Sequence, residues 1–204
     1  MAELNRWAKK LSMTPQRVSA KRFLGAWTAE CIEQAQAVRA TWSTSRLLTM
    51  RMLDESGSVL RKVAARLDLE SHLEYYHTDA VFFSPSDRVS VAPKEETWLH
   101  RVRVAVEHEI TFGSKLFEEV SHLMLVDTDL RVLIIYSPER DSTLKKHMDV
   151  LHSVVAASDR QHLYASEGSF LSLVGWRNFA EDRVYWRPYI YAPSGWQIMP
   201  GLIT

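Results

Sequence analysis

The sequence contains little cysteine and glycine and no long apolar run. Its single cysteine, Cys31, can form neither an internal disulfide nor a cysteine-rich metal site, and its helical surroundings predict a packing role. The seven glycines follow no phosphate-loop or dinucleotide-binding spacing, which disfavours nucleotide-cofactor folds. No apolar stretch approaches the roughly 20 residues that span a bilayer, and the first residues lack the apolar block of a signal peptide. We therefore expect a cytoplasmic protein with no membrane segment.

Charge is balanced over the whole chain but not along it. Residues 1–66 carry twelve Lys or Arg against five Asp or Glu, whereas residues 67–204 carry thirteen against twenty. This division is compatible with a part that holds a polyanion joined to a part that binds a metal, and equally with two parts that simply attract each other. A chain of 204 residues, 46% of them hydrophobic, is long enough for one domain with a substantial core.

Apolar spacing divides the chain into a helical part, residues 1–66, and an α/β part, residues 67–204, which we expect to pack as one domain. The helical part predicts a helix from Thr14-Pro15 to about Trp42 and two shorter helices after it. The later segments predict strands at 74–83, 98–110, 130–137, 168–176 and 183–192, with helices at 114–126 and 141–158. Because the segment 130–137 is nearly all apolar, the fold class is an α/β sandwich, a mixed sheet flanked by helices.

Two glutamates, Glu107 and Glu109, end the predicted strand at 98–110 in the sequence AVEHE. Strand alternation puts both on one face, about 7 Å apart, where like charges need a cation, a basic partner or water. Asp79, in HTDAVFF, lies beside them if the two strands pair. Three converging carboxylates suit a hard divalent cation, Mg²⁺ or Mn²⁺, which polarises phosphate and activates water.

Other interpretations of these residues remain open. Arg101 and Arg103 share the face of the glutamates and would hold them in a ladder of cross-strand ion pairs without a metal. His77 is either a ligand or proton carrier near Asp79 or a structural histidine. His108 points away from the acids by alternation, so we interpret it as a packed histidine.

An acid on one strand, Glu-x-(Lys/Glu/Gln) on the next, and then a helix and a buried strand resembles the PD-(D/E)xK nuclease superfamily. The resemblance covers about residues 50–138, with Asp79 and Glu107-His108-Glu109 at the motif positions. It implies a restriction-endonuclease-like fold and a Mg²⁺- or Mn²⁺-dependent endonuclease acting on DNA. By the same resemblance, Asp79 and Glu107 are metal ligands, and Glu109 is a ligand or the base that orients water.

The motif departs from most of that superfamily because Glu109 stands where a lysine is usual. A minority of restriction endonucleases carry Glu-x-Glu, so an active enzyme is one expectation. The other is an inactive nuclease-like fold that serves as a nucleic-acid-binding or protein-assembly module. Lys115 is a candidate for a displaced lysine and Glu55 for a helix-borne acid, although ordinary surface charges explain both.

The C-terminal segment 174–197 is rich in aromatic residues and arginines. Such a segment can stack bases and hold phosphates, but it also makes ordinary outer strands or an oligomer interface, including that of a homodimer. The residues concerned are Trp176, Arg177, Arg183, Tyr185, Trp186, Arg187, Tyr189, Tyr191 and Trp196.

Overall fold

The computed structural model describes residues 17–54, 56–91, 96–110, 114–137, 143–159 and 163–201. The helices are Ala20–Glu33 (α1), Ala35–Thr41 (α2), Ser45–Thr49 (α3), Val59–Arg66 (α4), Ser114–Leu125 (α5), Leu144–Ser158 (α6) and Leu163–Ser166 (α7), with a π-helical turn at Met50–Asp54. The strands are Glu70–Tyr75 (β1), Thr78–Phe83 (β2), Val102–Glu109 (β3), Thr128–Tyr136 (β4), Phe170–Asn178 (β5), Arg183–Ala192 (β6) and Gly195–Ile198 (β7).

The strands form one mixed sheet whose spatial order is the chain order, β1 to β7. The central strands β3, β4 and β5 are parallel, and each outer pair is antiparallel. Parallel neighbours need crossover connections, which α5 and α6 provide. Because right-handed crossovers that step in one direction lie on one face of a sheet, these helices are neighbours and pack together.

The other face of the sheet is covered by the helical part of the chain. Phe23 and Trp27 of α1 are fully buried and share a cluster with Phe82 and Val104 of the sheet. A second cluster joins α5 and α6 to the opposite face, including Leu116 and other buried residues. The predicted α/β fold with a mixed sheet flanked by helices is therefore confirmed, and the sheet lies between two helical layers.

The long helix predicted up to Trp42 is divided at Gln34. Ser19 caps α1 by accepting a hydrogen bond from the backbone N–H of Arg22 at 3.3 Å, and α2 begins after Gln34. The predicted start at Thr14-Pro15 lies outside the described residues. Cys31 is buried in α1, as a packing role requires, and the burial raises the pKa of its thiol.

The prediction of one strand at 74–83 was wrong, because the segment is split between β1 and β2. A two-residue turn at Tyr76 and His77 joins them, and the φ angles of these residues are 47° and 66°. Such turns normally carry asparagine or glycine, so the sequence offered no turn signal here. The short elements α7 and β7 were also missed. Among the described residues, no helix combines the length and apolar character needed to cross a bilayer.

Candidate metal centre

Asp79 and Glu107 lie opposite each other on the antiparallel strands β2 and β3. The register that pairs Ala80 with Val106 sets these acids side by side, on the face that α5 covers. The backbone N–H of Asp79 donates to Oε2 of Glu107 at 3.3 Å, and the backbone N–H of His108 donates to Oδ2 of Asp79 at 2.8 Å. The sheet itself therefore fixes the position of both carboxylates.

Glu107 is completely buried, and one of its oxygens is left without a partner. Oε1 accepts no hydrogen bond in the described structure, whereas Oε2 accepts one from Asp79. Burial raises the pKa of Glu107 to about 9, and the negative charges of Asp79 and Glu119 add to this shift. A buried carboxyl group with an unsatisfied oxygen is unfavourable unless a proton or a cation compensates it.

The pKa of Asp79 is also raised, first by burial and then by repulsion from Glu119 and Glu109. The hydrogen bond from the His108 backbone acts in the opposite direction. Glu109 is the last residue of β3 and is half-buried. Asp79 is therefore close enough to both Glu107 and Glu109 to interact with each of them electrostatically.

Helix α5 adds two further side chains, Glu119 and His122, which the sequence analysis did not assign to the site. Glu107, Glu119 and His122 each offer one ligand atom, and these atoms lie within 4.8 Å of one another. Nδ1 of His122 is 3.3 Å from Oε2 of Glu119. The signal in the sequence was Glu-x-x-His on the helix that follows the motif, immediately beside the apolar stripe that packs on the sheet.

The two minor candidates for catalytic residues are Lys115 and Glu55. Lys115 is exposed in the first turn of α5, and helical spacing puts it one turn before Glu119 on the flank that also carries His122. Glu55 lies outside the described residues.

Arg103 of β3 and Arg101, just before that strand, bond to acids from other elements. The Arg103 guanidinium makes two hydrogen bonds of 2.7 Å to the Asp87 carboxylate, and Arg101 bonds to Asp129 at 2.8 Å. Arg103 also lies 3.8 Å from Asp129. These pairs weaken the interpretation in which the same arginines neutralise Glu107 and Glu109.

The two histidines near the motif face different environments. His108 points to the opposite face, as predicted, where its Nε2 is 2.7 Å from the Tyr136 hydroxyl and burial lowers its pKa to about 4. His77 lies in the β1–β2 turn, and its ring centroid is 6.1 Å from that of His122. A surface pocket of about 480 Å³, lined by Glu74 and residues 76–79, opens beside Asp79.

The C-terminal aromatic residues pack within the molecule. Trp186 is buried edge-on against Trp27, with 5.0 Å between ring centroids. Trp176 is 9% exposed, stacked on Tyr185 and covered by Arg187. With their ring faces occupied in this way, these residues support the structural interpretation of the segment.

Arginines of the helical part bond to acids of the α/β part. Arg22 lies 3.7 Å from Asp68, Arg39 lies 3.2 Å from Asp182, and Arg17 pairs with Glu167. The uneven charge distribution therefore contributes to attraction between the two parts.

Comparison of the chain with protein-family models, with curated protein sequences and with solved structures gave no match.

Proposed function

We propose that this protein is a metal-dependent phosphodiesterase of the PD-(D/E)xK type that cleaves DNA. The proposal depends mainly on one observation, the fully buried Glu107 carboxyl group with an unpartnered Oε1 beside Asp79 and Glu119. A divalent ion such as Mg²⁺ or Mn²⁺ offsets the cost of ionising Glu107 there. When bound, it would polarise a phosphate and lower the pKa of an attacking water.

The order of the elements supports this proposal. A helix, α4, precedes the β1–β2 hairpin, Asp79 lies on β2, and Glu107-x-Glu109 ends β3. Then follow α5 and the buried strand β4, which is the arrangement that the resemblance implies. Acids held at fixed positions by sheet hydrogen bonds are suited to positioning an ion for in-line attack on phosphate.

Glu109, Lys115 and the surface pocket have proposed catalytic roles that follow from their positions. Glu109, at the solvent end of β3, is the candidate for orienting water or accepting its proton. Lys115, on the same flank of α5 as Glu119, is the candidate for stabilising charge that develops on phosphate. The surface pocket that Asp79 lines is the candidate entry for a phosphodiester.

A nicking and cleavage assay on supercoiled, linear and single-stranded DNA tests the proposal. We expect Mg²⁺- or Mn²⁺-dependent cleavage that falls by at least about a hundredfold in Asp79→Asn and Glu107→Gln, because each removes a ligand charge. Glu118→Gln is the matched control, since Glu118 is an exposed acid of α5 beside Glu119. A folded protein that binds no divalent ion would refute the proposal.

The second candidate is a nuclease-like fold that binds nucleic acid or a protein partner without cutting. Glu109 in place of the usual lysine favours it, as do the ion pairs that occupy several arginines of the helical part. DNA binding that is equal with and without chelator, together with intact substrate at every metal concentration, would support this candidate instead.

A further inference from the structure

We infer that Glu107, Glu119 and His122 form a metal site with an imidazole ligand, which takes a first-row transition ion in preference to Mg²⁺. This inference deepens the metal-binding part of the proposed function. It does not require cleavage, since an inactive nuclease-like fold could keep such a site.

The geometry of the three side chains fits one ion. Their ligand atoms lie within 4.8 Å of one another. Around an ion with bonds of about 2.1 Å, opposite ligand atoms are about 4.2 Å apart and adjacent ones about 3.0–3.4 Å apart. Side-chain rotations that move the ligand atoms by about 1 Å therefore suffice to bring the three atoms around a single centre.

Glu107 is more deeply buried than Glu119 and His122. Glu107 is 0% exposed, whereas the side chains of Glu119 and His122 are 24% and 30% exposed. The strand thus supplies a buried ligand, and the helix supplies two ligands that reach solvent. An ion bound there has one protected side and an open side for water or a substrate oxygen.

An ordinary helix-surface ion pair accounts for only part of this cluster. Glu119 and His122 are three residues apart, and their 3.3 Å contact alone would stabilise α5 slightly. That pair gives no role to the buried Oε1 of Glu107, which has no hydrogen-bond partner in the described structure. A cation shared by the three side chains accounts for both observations, whereas a proton held between Glu107 and Asp79 accounts only for the buried oxygen.

The ligand set decides the metal. Mg²⁺ prefers oxygen ligands and keeps several waters, whereas imidazole suits first-row ions such as Fe²⁺, Ni²⁺ and Zn²⁺. Mn²⁺ also favours oxygen but, being higher than Mg²⁺ in affinity for nitrogen donors, serves as the spectroscopic probe of the site. The 3.3 Å between Nδ1 of His122 and Oε2 of Glu119 is also a separation that adjacent ligand atoms of one ion have. The all-oxygen site expected from Asp79, Glu107 and Glu109 is therefore extended by a nitrogen donor.

Electron spin-echo spectroscopy of the Mn²⁺-loaded protein tests the inference directly. We expect ¹⁴N modulation from a bound imidazole, which disappears in His122→Gln and remains in His72→Gln, a control on β1. Titration calorimetry should give at least about tenfold tighter binding of Mn²⁺ than of Mg²⁺, and His122→Gln should weaken Mn²⁺ binding about 10- to 100-fold. Circular dichroism checks that each variant is folded.

A second pair of variants tests whether the Glu119 carboxylate is a ligand. Glu119→Gln should also weaken Mn²⁺ binding, whereas its neighbour Glu118→Gln should leave it unchanged. Mn²⁺ bound without ¹⁴N modulation, or with the same affinity in His122→Gln, would overturn the inference. Cleavage with Mg²⁺ alone would then leave the proposed function in place, whereas ¹⁴N modulation without any cleavage would refute the function and keep the site.

Discussion

The backbone N–H of Asp79 lies 3.3 Å from Oε2 of Glu107, directly across the β2–β3 pair. The adjacent backbone N–H of His108 returns a hydrogen bond to Asp79 at 2.8 Å. Each carboxylate is thus held by the main chain of the neighbouring strand rather than by a flexible side chain. This arrangement preorganises the acids but leaves their negative charges close together, which is stable only with a proton or a cation present.

Glu107→Gln should make the metal-free protein more stable at alkaline pH. The pKa of Glu107 is about 9 in the folded protein against an ordinary value of 4.5. The folded state therefore binds the proton more tightly than the unfolded state, and stability falls as pH rises through this window. Glutamine carries no charge to lose, so we expect a gain on the order of 1–3 kcal/mol at pH 8.

Urea denaturation between pH 5 and pH 9, in chelator, measures this difference. The wild type should lose stability with rising pH more steeply than Glu107→Gln. Added Mn²⁺ should stabilise only the wild type, because the variant lacks the buried ligand charge. A variant less stable than the wild type at both ends of this range would contradict the prediction.

Replacing Tyr76-His77 by Asn-Gly should stabilise the β1–β2 hairpin. Both native residues have positive φ angles, as does nearby Glu74 at 52°. This backbone conformation is energetically unfavourable for residues other than glycine. Asn-Gly is the preferred pair for such a turn, so we expect a gain of about 1–2 kcal/mol in the free energy of unfolding. Thermal and urea melts of the double variant measure it.

The Asn-Gly double variant also tests whether the strained turn positions His77 for a role at the metal site. If His77 assists the site through His122, the more stable protein should bind Mn²⁺ more weakly or cleave DNA more slowly. Tyr76→Asn alone retains the histidine and serves as the control. A double variant that is less stable than the wild type would show that the turn is not strained.

Arg103→Met should destabilise the protein by about 3–5 kcal/mol, because it leaves the Asp87 carboxylate buried and unpaired. The side chains of Arg103 and Asp87 are each 3% exposed. Burial opposes ionisation of Asp87, but the bonds from Arg103 and the backbone of Ser84 lower its pKa overall. Arg101→Met is the control, because Arg101 is 45% exposed and its partner Asp129 keeps the backbone N–H of Val18 at 3.3 Å and Arg103 at 3.8 Å, so the loss should be smaller, about 1 kcal/mol.

A double variant, Arg103→Met with Asp87→Asn, completes the cycle for this ion pair. It should recover part of the lost stability, because no charge remains buried without a partner. Chemical denaturation at pH 7 measures the free energy of unfolding of the wild type, Arg103→Met, Asp87→Asn and the double variant. Equal losses in Arg103→Met and Arg101→Met would refute the argument from burial.

The face shared by Glu107 and Glu109 was predictable from the sequence, as was the alternation of strands and helices after residue 98 apart from α7 and β7. Both depend on local patterns: alternation fixes which strand residues share a face, and the apolar segment at 130–137 marks a central strand. The orientation of His108 away from the acids followed from the same rule. None of these inferences required knowledge of a distant contact.

The contribution of Glu119 and His122 could not be predicted in the same way. A helix presents several faces, and packing of Leu116 and its neighbours on the sheet decides which flank of α5 borders Glu107. The partners of Arg101 and Arg103 were hidden for a similar reason, since Asp87 and Asp129 come from other elements. Tertiary packing, rather than residue spacing, selected these contacts.

Gly175→Ala should destabilise the protein by about 1–3 kcal/mol through overpacking on β5. An added Cβ would lie 2.5 Å from Cζ3 of Trp186, a ring that is 1% exposed. Trp27 and Tyr136 pack against that ring, with centroids at 5.0 and 5.6 Å, so it has little room to move away. Gly25→Ala is the control, because Gly25 lies in α1 with nothing within 4 Å of its added Cβ. Alanine at position 25 should add about 0.5–1 kcal/mol to the free energy of unfolding.

Thermal melts and tryptophan fluorescence compare the two variants. An unchanged melting temperature for Gly175→Ala would contradict the close packing of Trp186.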